Sequence, residues 1–274
     1  MLALMIRLLI ALNLSLFSLD TSGRVEILSI PHPDDPAKKV EFFLEKPSGI
    51  GPWPTVILLH GHQQPPRPGG KDFVNWGILD RFAERGYLAV AVSQPGFGNS
   101  TGPADFCGPF TQRAVQGVIE KLRADGYVDP NKILIEGISR GALVAGLIAA
   151  HNPSVAGVVR VSGLYDLPKF LAEANSDEAK KVVDSIREEA GGRESALAAR
   201  SVLRFVKNIK AAALIMNGAK DDRTDPSQAE LLAAEIIAND GNARVIIYPE
   251  YGHQIPVNVR DREIDPFIRT ILGR

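Results

Sequence analysis

Cysteine and histidine are scarce in this sequence of 274 residues. Cys107 is the one cysteine, which excludes an internal disulfide, a zinc site built from cysteines and an iron–sulfur cluster. Five histidines leave few candidates for an imidazole base. Neither sign of charge is in excess, since 31 Lys and Arg face 32 Asp and Glu, for a formal net charge of −1. We therefore expect no general attraction for nucleic acid.

Residues 1–23 have the pattern of a secretory signal peptide. Arg7 is followed by an uncharged, mostly apolar run that extends to Leu19. This run suits the apolar region of a signal peptide and is short for a membrane-spanning helix. We expect cleavage after Gly23 and a secreted or periplasmic protein with no stable membrane insertion. An uncleaved anchor is the alternative.

Strand-like and helix-like segments alternate along the rest of the chain. Residues 55–59 and 87–92 are apolar runs, typical of strands buried on both faces. Residues 111–124 and 73–85 carry apolar side chains at helical spacing. This alternation predicts an α/β domain over residues 24–274, with a mainly parallel central sheet and helices on both faces. Other predicted strands are 25–30 and 39–45, as a possible edge hairpin, and 132–135, 155–161, 212–216 and 243–248; other predicted helices are 142–150 and 228–238.

Residues 164–208 interrupt the alternation. They contain two or three charged amphipathic helices, with Gly191 and Gly192 between them, and no predicted strand. A helical insertion between two core strands is a candidate lid over an active site, and a solvated helical excursion is the alternative.

The sharpest motif is Gly137-Ile138-Ser139-Arg140-Gly141, which fits the nucleophile elbow G-x-S-x-G. In an elbow, the serine occupies a strained turn between a strand and a helix, so that its hydroxyl projects clear of the backbone. The glycines leave room for this tight turn. The apolar run ILIE precedes the motif and the helical run GALVAGLIAA follows it, as an elbow requires. Ser139 is therefore the predicted nucleophile.

A histidine base is expected well downstream of the serine, with the acid between them. Two histidines follow Ser139 in the sequence. His151 ends the helix after the elbow, where its interaction with the helix dipole explains it. His253 follows the last predicted strand in a loop, and we predict that it is the base.

The acid is expected in the loop after the strand at 212–216. Three aspartates lie there. Asp225 is explained as a helix N-cap, followed by a proline and with Gln228 as the capping-box partner. Of the other two, Asp221 lies nearer the end of the strand and is the predicted acid, with Asp222 as the alternative.

Two backbone N–H groups are needed to stabilise the oxyanion. The residue after the nucleophile, Arg140, is expected to supply one. The other is expected from the loop His60-Gly61-His62-Gln63, from His62 or from Gln63. The pair His60 and His62 is weak as a metal site, because no Asp, Glu or Cys lies near it in the sequence. We expect no metal and no cofactor.

From about residue 40 onwards, the sequence resembles the α/β-hydrolase superfamily, and within it the group of prolyl oligopeptidases and dienelactone hydrolases. The segments that carry the resemblance are TVILLHGH, AVSQPGFGNSTG, GISRG, VSGLYDL, NGAKDDRTDPSQA and YPEYGHQIP. The resemblance implies the α/β-hydrolase fold and a catalytic triad of Ser139, Asp221 and His253.

The sequence also departs from this group. Dienelactone hydrolases use a cysteine nucleophile, whereas this elbow carries serine. The peptidases usually have glycine where Ala142 stands, and often have histidine where Asn217 stands. The large oligopeptidases carry an N-terminal β-propeller, and the roughly 30 residues between the predicted signal and the strand at 55–59 leave no room for one.

These features predict a secreted serine hydrolase that forms an acyl-enzyme. We expect a carboxylesterase that acts on small esters, because a gating propeller is not expected. A prolyl-oligopeptidase-like peptidase acting on short peptides is one alternative. A non-catalytic binding protein with the same fold and a perhydrolase with the same triad are the others.

Overall fold

The computed structural model describes residues 18–19 and 24–273. The predicted signal peptide therefore lies outside the described residues, apart from residues 18–19. Within the described part of the chain, no helix is long and apolar enough to cross a bilayer.

A single nine-stranded sheet organises the described chain. Its spatial order is β1-β2-β3-β5-β4-β6-β7-β8-β9. The strands are β1 (Ser18–Leu19), β2 (Glu26–His32), β3 (Asp35–Glu45), β4 (Trp53–Leu59), β5 (Leu88–Val92), β6 (Val128–Ile138), β7 (Val155–Val161), β8 (Ala212–Gly218) and β9 (Ala243–Tyr248). Strands β1 to β3 pair antiparallel, β3 pairs antiparallel with β5, and β4 to β9 are parallel. The predicted parallel sheet and the edge hairpin are confirmed.

Helices lie on both faces of the sheet. They are α1 (Lys71–Asn75), α2 (Ile78–Glu84), α3 (Pro109–Ala124), α4 (Arg140–His151), α5 (Leu167–Glu173), α6 (Asp177–Ala190), α7 (Glu194–Ala198), the 3₁₀ helix η1 (Val202–Asn208), α8 (Ser227–Ala238) and α9 (Val257–Leu272). Helices α3 to α8 and η1 pack on one face, and α1, α2 and α9 pack on the other.

Strand β4 shows why the central strands are apolar runs. Ile57 and Leu59 pack into the core on the α3 and α4 face, whereas Val56 and Leu58 pack into the core on the opposite face. All four side chains are buried. A strand that is covered on both faces has no polar side, so the period-two alternation of a half-exposed strand is absent.

Residues 164–208 form the predicted helical insertion between β7 and β8. Helix α6 buries Ala179, Val183 and Ile186, which recur at helical spacing along one side of the helix. These side chains join the core that contains α3 and α4. The insertion is therefore packed against the domain along one face and exposed on the other.

The prediction of a single helix over residues 73–85 is wrong. The chain forms α1 and α2 instead, with Trp76 and Gly77 between them. Gly77 has a φ of +65°, in the left-handed region that interrupts a right-handed helix.

Helix α9 was not predicted. Its buried residues Ile264, Ile268 and Leu272 recur every four positions, but the same segment contains Pro266 and six charged residues, which obscure the signal.

The predicted capping role of Gln228 is also wrong. Its side-chain oxygen accepts hydrogen bonds from the backbone N–H groups of Tyr165 and Asp166, at 2.8 and 2.9 Å. Its side-chain nitrogen donates to the carbonyl of Asp166. Gln228 thus ties α8 to the start of the insertion, which is a contact between distant parts of the chain that local pattern does not reveal. Asp225 accepts from the N–H of Ser227 at the start of α8.

Candidate active site

The elbow is a turn between β6 and α4. Ser139 has a φ of +53° and a ψ of −117°, a conformation that L-residues rarely adopt. A Cβ on Gly137 would collide with the carbonyl of Gly141, and one on Gly141 would collide with the carbonyl of Leu59. These two glycines therefore let the turn close and let it lie against the end of β4.

The structure brings together the three residues predicted as the triad. The hydroxyl of Ser139 lies 3.0 Å from Nε2 of His253. Nδ1 of His253 lies 3.0 and 3.1 Å from the two carboxylate oxygens of Asp221. With the proton on Nδ1, the imidazole donates to the carboxylate and its Nε2 accepts from the serine hydroxyl. This is the arrangement that a nucleophile, base and orienting acid require.

Backbone contacts between two loops place the acid beside the base. Asp221 follows β8 and His253 follows β9, which are adjacent parallel strands. The N–H of Lys220 donates to the carbonyl of Tyr251 at 2.9 Å. A Cβ on Gly218 would collide with the same carbonyl, so glycine permits this approach. The two loops are therefore fixed to each other.

Asp221 is held by a dense set of donors. Its carboxylate accepts from the hydroxyl and N–H of Thr224, the N–H of Arg223 and the side-chain amide of Asn217, at 2.7–3.1 Å. Burial alone would raise the pKa of Asp221. The hydrogen bond and charge of His253, with the two bonds from Thr224, outweigh burial and lower this pKa. The carboxylate therefore stays ionised, as an acid that orients a histidine must.

Asp222 does not share this position. It is exposed, and its backbone carbonyl accepts a hydrogen bond from the hydroxyl of Ser176, just before α6. The contribution of Asn217 was not predicted. This residue stands where the resembling peptidases often carry histidine, and here it donates to Asp221 at 3.1 Å.

The two segments that carry the predicted oxyanion donors both lie next to the nucleophile. Arg140 is the first residue of α4, so its N–H has no acceptor within the helix. The 60–63 loop packs against the elbow, because a Cβ on Gly61 would lie 3.3 Å from that of Ser139. In residues 24–273, the N–H groups of His62 and Gln63 have no hydrogen-bond acceptor. Both remain available, and the choice between them stays a prediction.

His60 anchors this loop, a role that the sequence analysis missed. Its Nδ1–H donates to the carbonyl of Gly61 at 2.8 Å, and its Nε2 accepts from the N–H of Gln94 at 3.0 Å. Both ring nitrogens are therefore used by the neutral ring. Burial, together with the positive charge of Arg140, lowers the pKa of His60 to about 4, although the hydrogen bond to Gly61 acts in the opposite direction.

A cavity of about 980 Å³ opens in front of Ser139 and His253. The elbow, the 60–63 loop and the loop after β9 line it, and α6 of the insertion forms one wall. Most of its exposed surface is apolar, with contributions from Phe73, Trp76, Phe106, Leu143, Leu164 and Ile255, although polar residues are also numerous in the lining. The charged lining residues of α6 and the acid loop include Glu178, Lys181 and Arg223. The arrangement suits nucleophilic attack on a carbonyl compound with an apolar portion.

Two family models match the chain. The model of the prolyl oligopeptidase family matches residues 111–268, which include the elbow, Asp221 and His253. The model of the X-Pro dipeptidyl-peptidase (S15) family matches residues 32–174, which include the 60–63 loop.

The chain is also similar to curated relatives in sequence and to solved structures in fold. Dipeptidyl aminopeptidase BIII of Pseudoxanthomonas mexicana is 27% identical over 217 residues, which are 74% of this chain and 30% of that protein. The chain spans about 30% of the length of the curated relatives it matches. A puromycin-hydrolyzing peptidase of Mycobacterium tuberculosis has a TM-score of 0.76 at 19% identity, over 91% of this chain and 39% of that one. An acetyl xylan esterase from Paenibacillus sp. R4 has a TM-score of 0.72 at 17% identity, over 90% of this chain and 84% of that one. The α/β-hydrolase fold is thereby confirmed.

The buried neutral state of His60 predicts acid-sensitive stability. Because the pKa of His60 is about 4 in the folded protein and 6.5 ordinarily, the unfolded chain binds more protons between these values. The free energy of unfolding therefore falls as the pH decreases from about 6.5 to about 4, by up to roughly 3 kcal/mol from this group. Urea unfolding at pH 7, 5.5 and 4.5 measures the slope. His60→Gln should flatten it, and His62→Gln should flatten it less. Equal slopes in wild type and His60→Gln would contradict this role.

Proposed function

Because this chain belongs to the prolyl oligopeptidase family and is a serine hydrolase, we propose that it is a carboxylesterase that hydrolyses small esters through Ser139, His253 and Asp221. The observation that carries the proposal is the continuous hydrogen-bonded series from Asp221 through His253 to Ser139, which ends at the cavity. A serine hydroxyl next to an oriented imidazole base is an activated nucleophile.

The reaction begins with attack on the ester carbonyl. The Oγ–carbon bond of Ser139 forms while Nε2 of His253 takes the hydroxyl proton. The carbonyl oxygen becomes an oxyanion, to which the N–H groups of Arg140 and of His62 or Gln63 donate. Asp221 stabilises the imidazolium without taking its proton.

Collapse of this intermediate breaks the bond to the alcohol. His253 gives its proton to the departing alcohol oxygen, which leaves an acyl group on Ser139. A water molecule then attacks the acyl carbonyl while His253 takes its proton, and the acid leaves as Ser139 regains a proton from His253. The proton transfers thus run through Ser139, His253 and water, while the backbone N–H groups stabilise the oxyanion.

Small esters are favoured by two observations. The exposed surface of the cavity is mainly apolar, which suits an alkyl or aryl portion better than a peptide backbone with its many polar groups. The acetyl xylan esterase from Paenibacillus sp. R4 also has a similar fold over 90% of this chain and 84% of its own. A serine peptidase acting on short peptides is the second candidate, favoured by the two matching family models.

Labelling with a fluorophosphonate probe tests the nucleophile and the acid. We expect the wild type to be labelled and Ser139→Ala to lose the label, with esterase activity only about 10³–10⁴-fold above water. Asp221→Asn should lower kcat by about 10⁴-fold, because the imidazole loses its correct tautomer. The matched variant Asp222→Asn should keep kcat within about threefold, as an exposed side chain without a role in catalysis does. Absent labelling of folded wild type would refute the mechanism.

A substrate panel separates the two candidates. We expect saturable hydrolysis of ethyl and p-nitrophenyl esters of short acids, and no turnover of aminoacyl or X-Pro p-nitroanilides above the Ser139→Ala background. Unactivated ethyl esters are included because peptidases also cleave activated esters. Saturable cleavage of a p-nitroanilide would instead favour the peptidase.

We also propose that the protein is exported, on the basis of the charge and apolar pattern of residues 1–23. Amino-terminal sequencing of protein isolated from its native host should then give a sequence that begins near Arg24. A sequence that begins at Met1 would contradict cleavage. Fractionation of the same culture should place the mature protein in the periplasm or the medium.

A further inference from the structure

A buried ion pair joins the insertion to the elbow. Nη1 of Arg140 donates to Oε1 of Glu189 at 2.9 Å, and Nη2 lies 2.6 Å from Oε2. The two side chains are only 2% and 12% exposed. Glu189 also accepts from the N–H of Phe106 at 2.8 Å. Arg140 immediately follows the proposed nucleophile, whereas Glu189 lies near the end of α6.

The hydrogen bonds continue from Arg140 to the 60–63 loop. Nε of Arg140 donates to the side-chain oxygen of Gln94 at 3.4 Å. The side-chain nitrogen of Gln94 donates to the carbonyl of His60 at 2.7 Å, and its backbone N–H donates to the ring of His60. The rings of Phe97 and Phe106 each lie 5.2 Å from the guanidinium carbon. The guanidinium is thereby fixed between the two segments that carry the proposed oxyanion donors.

Glu189 provides the carboxylate that pairs with Arg140. Asp105 is a second carboxylate whose charge acts on this guanidinium, and it accepts from the hydroxyl of Thr111 and the N–H of Phe110. Without Glu189, a buried guanidinium would lose its ion pair. A buried charge left without its partner is costly, so the guanidinium and its neighbours would rearrange.

The same helix forms part of the substrate cavity. Val182 and Ser185 of α6 line the wall, one or two turns before Glu189. A substrate that contacts this wall therefore touches the element whose last turn fixes Arg140. The cavity wall and the oxyanion donors are joined by one helix and one ion pair.

We propose that Glu189 is a positioning residue, which holds the peptide N–H groups of Arg140 and the 60–63 loop in place for the oxyanion through Arg140 and Gln94. The inference rests on the proposed function. Displacement of catalytic groups by about 1 Å lowers rates by about 100-fold, so a side chain that touches no substrate can control kcat.

The test compares kcat, KM and the affinity for a trifluoromethyl ketone, whose hydrated or serine-bound oxygen mimics the oxyanion. In Glu189→Gln we expect kcat for p-nitrophenyl butyrate to fall by about 10–100-fold, with KM within about threefold. The inhibition constant of the ketone should rise by the same factor as kcat falls. Glu188→Gln, on the exposed side of α6, is the matched control and should match the wild type.

Gln94→Met is the second variant, since it interrupts the connection to His60 without leaving an unpaired charge. We expect the same pattern, a lower kcat and weaker ketone binding at nearly constant KM. The double variant of Arg140→Met with Glu189→Met should recover part of the kcat lost in Glu189→Gln, because it removes the buried charge and keeps the backbone N–H. Thermal unfolding shows that each variant is folded at the assay temperature.

The outcomes distinguish this inference from the proposed function. If the wild type reacts with the fluorophosphonate and Ser139→Ala does not, the hydrolase mechanism stands. If folded Glu189→Gln and Gln94→Met then keep the wild-type kcat and ketone affinity, the positioning role is overturned, even if both unfold at lower temperature. A rise in KM at constant kcat would also overturn it, because that change reports lost substrate contacts instead of a displaced oxyanion site.

Discussion

The close approach of backbone segments at the elbow is the constraint on which the site depends. The turn at Ser139 lies against the end of β4, and the glycines of the motif leave no side chain in the way. Ser139 also donates its N–H to the carbonyl of Val161 at the end of β7. Three parallel strands therefore meet at the residue with the unusual φ. Packing on both faces of the sheet supplies the stability that such a local conformation needs.

Parallel topology explains why residues so far apart in sequence meet here. The carboxyl ends of β4, β6, β8 and β9 lie at one edge of the sheet, and each is followed by a loop that serves the site. These loops carry the 60–63 segment, Ser139, Asp221 and His253. Loops that cross the end of a rigid parallel sheet can vary in sequence while their starting points stay fixed. The positions of the site residues thus depend on strand register, whereas the chemistry of the site depends on a few loop residues.

Features encoded locally could be predicted from the sequence. One local pattern was enough to predict each of three features. The apolar run predicted β4, the apolar stripe predicted α3, and the motif with its flanking strand and helix predicted the elbow at Ser139. The break at Gly77 was also encoded locally, but a glycine within an apolar periodicity is tolerated in many helices, so periodicity alone gave the wrong answer.

Contacts between distant segments could not be predicted. Gln228 satisfies its hydrogen bonds 62 residues away, and Glu189 meets Arg140 across 49 residues. Nearness to the end of the strand was the one sequence feature that favoured Asp221 over Asp222, whereas the folded loop places Asp221 beside His253 and exposes Asp222.

The insertion combines two roles that place opposite demands on its sequence. Its cavity-facing side chains determine what fits in front of Ser139, and such surfaces can change with substrate. Its last turn provides the carboxylate for Arg140, and a buried guanidinium cannot lose its partner without cost, because it stays charged at any physiological pH. Changes in α6 that reshape the cavity are therefore acceptable only where an anion remains at the position of Glu189, or where Arg140 is replaced as well. The cavity-facing side chains in the first turns of α6 can therefore vary, whereas Glu189 in its last turn is constrained by the ion pair with Arg140.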